Sequence, residues 1–85
     1  MIKKDYIIYI VGGYMKNISL WSVGNGFWII HIKKTLAKRF LERFDCAELV
    51  STYYKDDLNK PIGFDYKFKS DPYLSTIRKW AAQHK

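Results

Sequence analysis

Eighty-five residues, 48% of them apolar and 18% aromatic, are enough for one domain spanning 1–85 with a single modest core, and they exclude a disordered chain. No apolar run approaches the length that crosses a bilayer, and one cysteine cannot form an internal disulfide; no membrane role is expected, and residence in a reducing cytoplasmic compartment follows by default. The net charge of +7 permits nucleic acid, an anionic surface or an acidic protein as partner, and equally permits excess charge that serves solubility alone.

In chain order, Asp5 to Val11 predicts a strand with apolar residues on both faces, hence one inside the sheet. The basic residues before it superficially suggest a secretory leader, but Asp5 and the tyrosines interrupt the apolar run and no convincing cleavage site follows. Gly12-Gly13 marks a turn or a bulge, and two registers stay open: a break there, or a strand continuing through Tyr14 to a turn at Lys16-Asn17. Tyr14 to Val23 predicts a second strand. Gly24-Asn25-Gly26 is a turn whose residues tolerate positive φ. Phe27 to Ile32 predicts a third strand, with Phe27, Ile29 and His31 on one face and Trp28, Ile30 and Ile32 on the other.

Two helical turns are expected next. Leu36, Ala37, Phe40 and Leu41 form an apolar stripe, with Thr35 as its cap and Lys34, Lys38, Arg39 and Arg43 on the outer face. Asp45 and Glu48 have the spacing of a capping box, Phe44 and Leu49 that of a hydrophobic staple, and Cys46, Leu49, Val50, Tyr53 and Tyr54 recur as on a helix running from Cys46 to Tyr54. Lys55 to Pro61 is a polar loop. Ile62 to Lys69 alternates, placing Phe64, Tyr66 and Phe68 inward and Asp65, Lys67 and Lys69 toward water. Ser70-Asp71-Pro72 opens a last helix, with Asp71 as cap and Tyr73, Leu74, Ile77, Trp80, Ala81 and His84 as its apolar stripe.

The expected fold is therefore α+β: a small, mainly antiparallel sheet of three to four strands, helices packed largely on one face, in the order β-β-β-α-α-β-α. The expected core is Ile8, Ile10, Trp21, Ile29, Phe40, Phe44, Leu49, Val50, Tyr53, Phe64, Tyr66, Phe68, Leu74, Ile77 and Trp80.

No motif specifies catalysis, a metal or a cofactor. His31, His84 and Cys46 do not have zinc-ligand spacing. Cys46 reads as a small buried residue beside Phe44 and Ala47 rather than as a thiolate activated by a helix start with His31 as base. Asp56-Asp57 reads as turn chemistry, and neither glycine cluster has phosphate-loop spacing. The remaining site candidate is the basic run Lys33, Lys34, Lys38, Arg39 and Arg43, which offers phosphate or acidic-partner contacts, or simply a solvated helix face.

Gly63 to Trp80 resembles the third strand and second helix of an RNA-recognition motif, but Asp65 stands where Gly or Ala is expected, Ile62 and Lys67 depart from the pattern, and no strand follows the helix. Tyr6 to Ile10, Gly13-Tyr14, Phe27, Ala37-Lys38-Arg39-Phe40 and Ala47 with Glu48 are similar to small uncharacterised proteins encoded by phages and prophages of Gram-positive bacteria. That resemblance implies an accessory role and supplies no catalytic residues. The expectation is a non-enzymatic binding protein whose partner is another protein, with nucleic-acid binding through 33–43 as the alternative; the oligomeric state stays open.

Overall fold

The computed structural model describes residues 6–9, 18–54 and 59–84, and for 6–9 the backbone alone. The elements are β1 (Tyr6–Tyr9), β2 (Ile18–Gly24), β3 (Phe27–Lys33), α1 (Lys34–Arg43), β4 (Glu48–Tyr54), β5 (Pro61–Lys69) and α2 (Ser70–His84). They form an α+β fold with one five-stranded sheet ordered β1-β4-β5-β3-β2. The four strands β4-β5-β3-β2 are antiparallel, and β1 joins β4 in parallel. The expected class, the mainly antiparallel sheet and the helices on one face all hold. The order of elements differs at one place, the fifth, which is a strand and brings the sheet to five strands.

The difference lies in 48–54, which is strand β4 and not a second helix. Helix α1 ends at Phe44, whose N–H donates to Phe40 O at 2.8 Å, and the Ala47 N–H then donates to Phe44 O at 3.2 Å. Asp45 and Cys46 thus sit in a turn that closes a helix, and no capping box opens there. A bulge between Leu49 and Ser51 breaks the two-residue alternation of β4. That break brings Leu49, Val50, Tyr53 and Tyr54 into a helix-like spacing, although Val50, Thr52, Tyr53 and Tyr54 are all residues that favour strands. Strand β1 also departs from expectation, lying at the sheet edge with a neighbour on one side only among the described residues. The registers weighed at Gly12-Gly13 and Lys16-Asn17 lie outside the described residues, as do Asp56-Asp57 and Ile10 of the expected core.

The β2–β3 turn is as expected. Asn25 and Gly26 both have positive φ (55° and 78°), the requirement of the two-residue turn whose twist matches that of the strands. The N–H of Ser70 donates to Gly26 O at 2.8 Å and ties the start of α2 to this turn. Asp71 has the extended backbone of a cap (φ −109°, ψ 121°) before the regular helix. Helix α1 begins two residues earlier than expected: Lys33 occupies its cap position with no side-chain hydrogen bond, and Thr35 lies inside the first turn.

One face of the sheet carries both helices. Ile30, Ile32, Tyr66 and Phe68 from β3 and β5 are buried with Ala37, Phe40 and Phe44 and with Ile77, Trp80 and Ala81. Phe40, wholly inaccessible, is the centre: its ring stacks on Tyr66 and meets Phe44 and Trp80 at centroid distances of 5.2–5.4 Å. Ile29, Leu49, Val50, Tyr53, Phe64 and Leu74 of the expected core are half-buried, and Trp21, which shares the face of Ile29 away from the helices, is exposed.

Candidate functional site

The basic run divides. Lys33 ends β3 and is half-buried, so it leaves the helical set, whereas Lys34, Lys38, Arg39 and Arg43 are exposed along α1. Lys34 and Lys38 are one turn apart, as are Arg39 and Arg43. Arg78 and Lys79 are exposed on α2, which meets α1 where Phe44 and Phe40 touch Trp80. Glu42 and Asp71 are the exposed acidic residues of the two helices. The helix layer thus presents a predominantly cationic outer surface. Of its aromatic rings, Phe40, Phe44 and Trp80 are buried beneath that surface and Tyr73 is half-buried.

The opposite face holds a polar row that sequence periodicity did not reveal. Ser19, His31, Asp65 and Ser51 stand directly opposite one another across β2, β3, β5 and β4. His31 and Asp65 are only 5% and 4% exposed. Asp65 Oδ1 lies 2.8 Å from His31 Nδ1, and Oδ2 accepts the Tyr53 hydroxyl at 2.6 Å. With the carboxylate ionised, Nδ1–H is the donor to Oδ1. The Tyr53 ring stands edge-on to the imidazole with centroids 4.7 Å apart. It comes from the position opposite Gly63, a buried residue with no side chain to obstruct it. Burial first, then the hydrogen bond to Asp65 and its negative charge, push the Tyr53 hydroxyl well above the ordinary tyrosine range.

In the neutral imidazole this contact fixes the tautomer, with the lone pair on Nε2. This is the electronic arrangement of a general base, but the site is closed: Nε2 is buried and has no hydrogen-bond partner among the described residues. Ser19, although next in the row, makes no hydrogen bond to it. In this conformation the cluster ties β3, β4 and β5 together. No group of three or more His, Cys, Asp or Glu residues is placed to hold a metal ion among the described residues. Cys46 is exposed in the turn after α1 and not buried; since no helix starts there, its thiol also lacks the helix N-terminus that would activate it.

The third feature is the turn end of the β2–β3 hairpin. Trp21 and Val23 are 37% and 45% exposed on a strand that has a neighbour on one side only among the described residues. Beside them, Phe27 carries the Lys67 ammonium 4.5 Å from its ring centroid, and Trp28 carries the Arg78 guanidinium at 5.1 Å. The cross-strand register puts Phe27 and Trp28 on opposite faces of the sheet, so one cation lies on each side of the hairpin.

Asp65 and Tyr53 were missed because strand alternation assigned the first to solvent and helical spacing assigned the second to a helix face. A carboxylate directly opposite a histidine could have been recognised only from the β3–β5 register. No helix among the described residues is long and apolar enough to cross a membrane. No family model, no curated protein and no solved structure matches the chain.

Proposed function

We propose that this chain is a small, non-enzymatic binding protein of phage or prophage origin that engages another protein through the turn end of the β2–β3 hairpin and requires no cofactor. The observation that carries this reading is the exposure of Trp21 and Val23 on an edge strand. Full burial of one such side chain contributes about 1.5–3 kcal/mol, and a rigid tryptophan loses little conformational freedom on docking. A hairpin anchored by the Ser70–Gly26 hydrogen bond presents both residues on a fixed backbone.

Nucleic-acid binding by the helix layer is the second reading, favoured by the exposure of Lys34, Lys38, Arg39, Arg43, Arg78 and Lys79. It ranks lower because Phe40, Phe44 and Trp80 are buried, which leaves that layer the half-buried Tyr73 alone for base stacking. Co-purification from host lysate, with and without nuclease treatment, separates the two. Trp21→Ser with Val23→Ser should lose the bound protein, whereas Arg39→Glu with Arg43→Glu should retain it. The reverse pattern, or nucleic-acid retention abolished only by the helix pair, overturns the protein-partner reading.

A further inference from the structure

We infer that strand β2 is a docking edge for an extended segment of another protein in which apolar residues alternate with acidic ones, the segment adding itself to the sheet as a further strand. This inference rests on the protein-partner reading and specifies how the partner is held.

Three observations carry it. First, β2 ends the sheet, and among the described residues its outer side has no strand beside it. An edge strand presents a row of backbone N–H and C=O groups that a second extended chain can satisfy. Second, β2 lacks two of the common obstacles to such pairing: Ile18–Gly24 contains no charged residue and no proline. Its one irregularity, the register shift between Ser22 and Gly24, falls beside the turn and leaves Ile18–Ser22 in regular pairing with β3. Third, the surroundings define the chemistry of the guest. On the face of Ile29 and His31 lies the exposed ring of Trp21, with the Lys67 ammonium over Phe27 further along the same face. On the other face, Ser22 stands opposite Trp28, and the Arg78 guanidinium covers that ring.

A guest strand alternates its own side chains between these two faces. Apolar side chains on the Trp21 face cover that ring. Acidic side chains on the Ser22 face come alongside Arg78, and a terminal one on the Trp21 side comes alongside Lys67. The charge is complementary for an acidic guest and repulsive for a basic one, in a chain whose net charge is +7. A second copy of the chain supplies an uncharged β2 and leaves both cations unmatched, so the acidic–apolar segment fits better than self-pairing.

The test uses a fluorescent nine-residue peptide alternating valine and glutamate, blocked at both ends, titrated into the intact protein. The same peptide with proline at its centre and an alternating valine–lysine peptide serve as controls. Wild-type protein should bind the valine–glutamate peptide and not the proline version, which disrupts the backbone ladder. Lys67→Glu with Arg78→Glu should weaken that binding at least tenfold and create binding of the valine–lysine peptide. Lys34→Glu with Lys38→Glu, an equal charge change on α1, should alter it less than threefold. Arg78→Glu alone, at an exposed helix position, should give part of the effect and covers the case in which the double variant folds poorly.

Equal losses from the two charge pairs mean attraction to net charge and overturn the inference, as does undiminished binding of the proline peptide. Self-association in sedimentation that the peptide does not displace assigns the edge to a second copy and also overturns it. Displacement of bound peptide by a short oligonucleotide from wild type but not from the Lys34/Lys38 variant assigns the contact to the helix layer, with the same result. If the peptide fails while Trp21→Ser with Val23→Ser still abolishes co-purification, strand addition falls and the broader docking reading stands.

Discussion

Replacing Asp65 by alanine tests the polar cluster at its centre. The side chain is buried, and both carboxylate oxygens are occupied, by His31 Nδ1 at 2.8 Å and the Tyr53 hydroxyl at 2.6 Å. Truncation orphans two donors. A buried donor left unpaired costs about 1–3 kcal/mol, less for Tyr53, which is half-buried and within reach of water. The expected loss is about 3 kcal/mol, a large share of the roughly 4–13 kcal/mol available to a domain of this length. Tyr53→Phe alone should cost about 1.5 kcal/mol, the value of a hydrogen bond to a charged acceptor. In the Asp65→Ala background the same change should cost nothing, because the hydroxyl has already lost its acceptor. The coupling energy is therefore about 1.5 kcal/mol. Urea unfolding of the two single variants and the double variant, followed by circular dichroism, measures it. Strict additivity, or an Asp65→Ala loss below about 0.5 kcal/mol, would refute the described network.

Phe40→Ala should destabilise the domain by about 3–5 kcal/mol, since the ring is inaccessible and touches Phe44, Tyr66 and Trp80; a thermal melt with an unchanged midpoint would remove Phe40 from the centre of the core. Burial raises the hydroxyls of Tyr53 and Tyr66 above their ordinary value of 10.0, so above about pH 10 the unfolded chain releases protons that the folded one keeps, and stability falls as pH rises. Urea midpoints between about pH 8 and pH 11 should show that decline, and Tyr53→Phe should flatten part of it. Gly26→Val should cost about 1–2 kcal/mol, measured by the same melts; a Cβ there meets nothing within 4 Å, so the loss comes from the φ of 78° and not from a clash.

What the sequence made legible was governed by local chemistry. The Asn25-Gly26 turn, the Asp71 start of α2 and the alternation of Phe64, Tyr66 and Phe68 depend on a few neighbouring residues, and all three stand as expected. The strand at 48–54 did not, because a single bulged residue shifts the phase of Leu49 and Val50 against Tyr53 and imitates a helix. Partner identity within the sheet was equally out of reach: β4 lies between β1 and β5, and no local signal places β1 beside it. The polar cluster was hidden for the same reason. His31 and Asp65 are 34 residues apart and meet only through the β3–β5 register. Of the basic run, Lys34, Lys38, Arg39 and Arg43 share the exposed side that helical spacing gave them, while Lys33 belongs to the preceding strand.

The order of strands in the sheet also sets an order of assembly. The β2–β3 hairpin closes across a two-residue turn, and β5 then returns to β3. By contrast, β1 reaches β4 only after about half the chain has been brought round, Tyr6 standing beside Ser51. Each doubling of such a loop costs about 0.6 kcal/mol in closure entropy, and contacts of this range form late. Among the described residues, β1 pairs with four residues of β4 and has a neighbour on one side. Its amides should therefore exchange with solvent through openings that leave the β3–β5 ladder intact, making the N-terminal strand the last part to arrive and the first to leave.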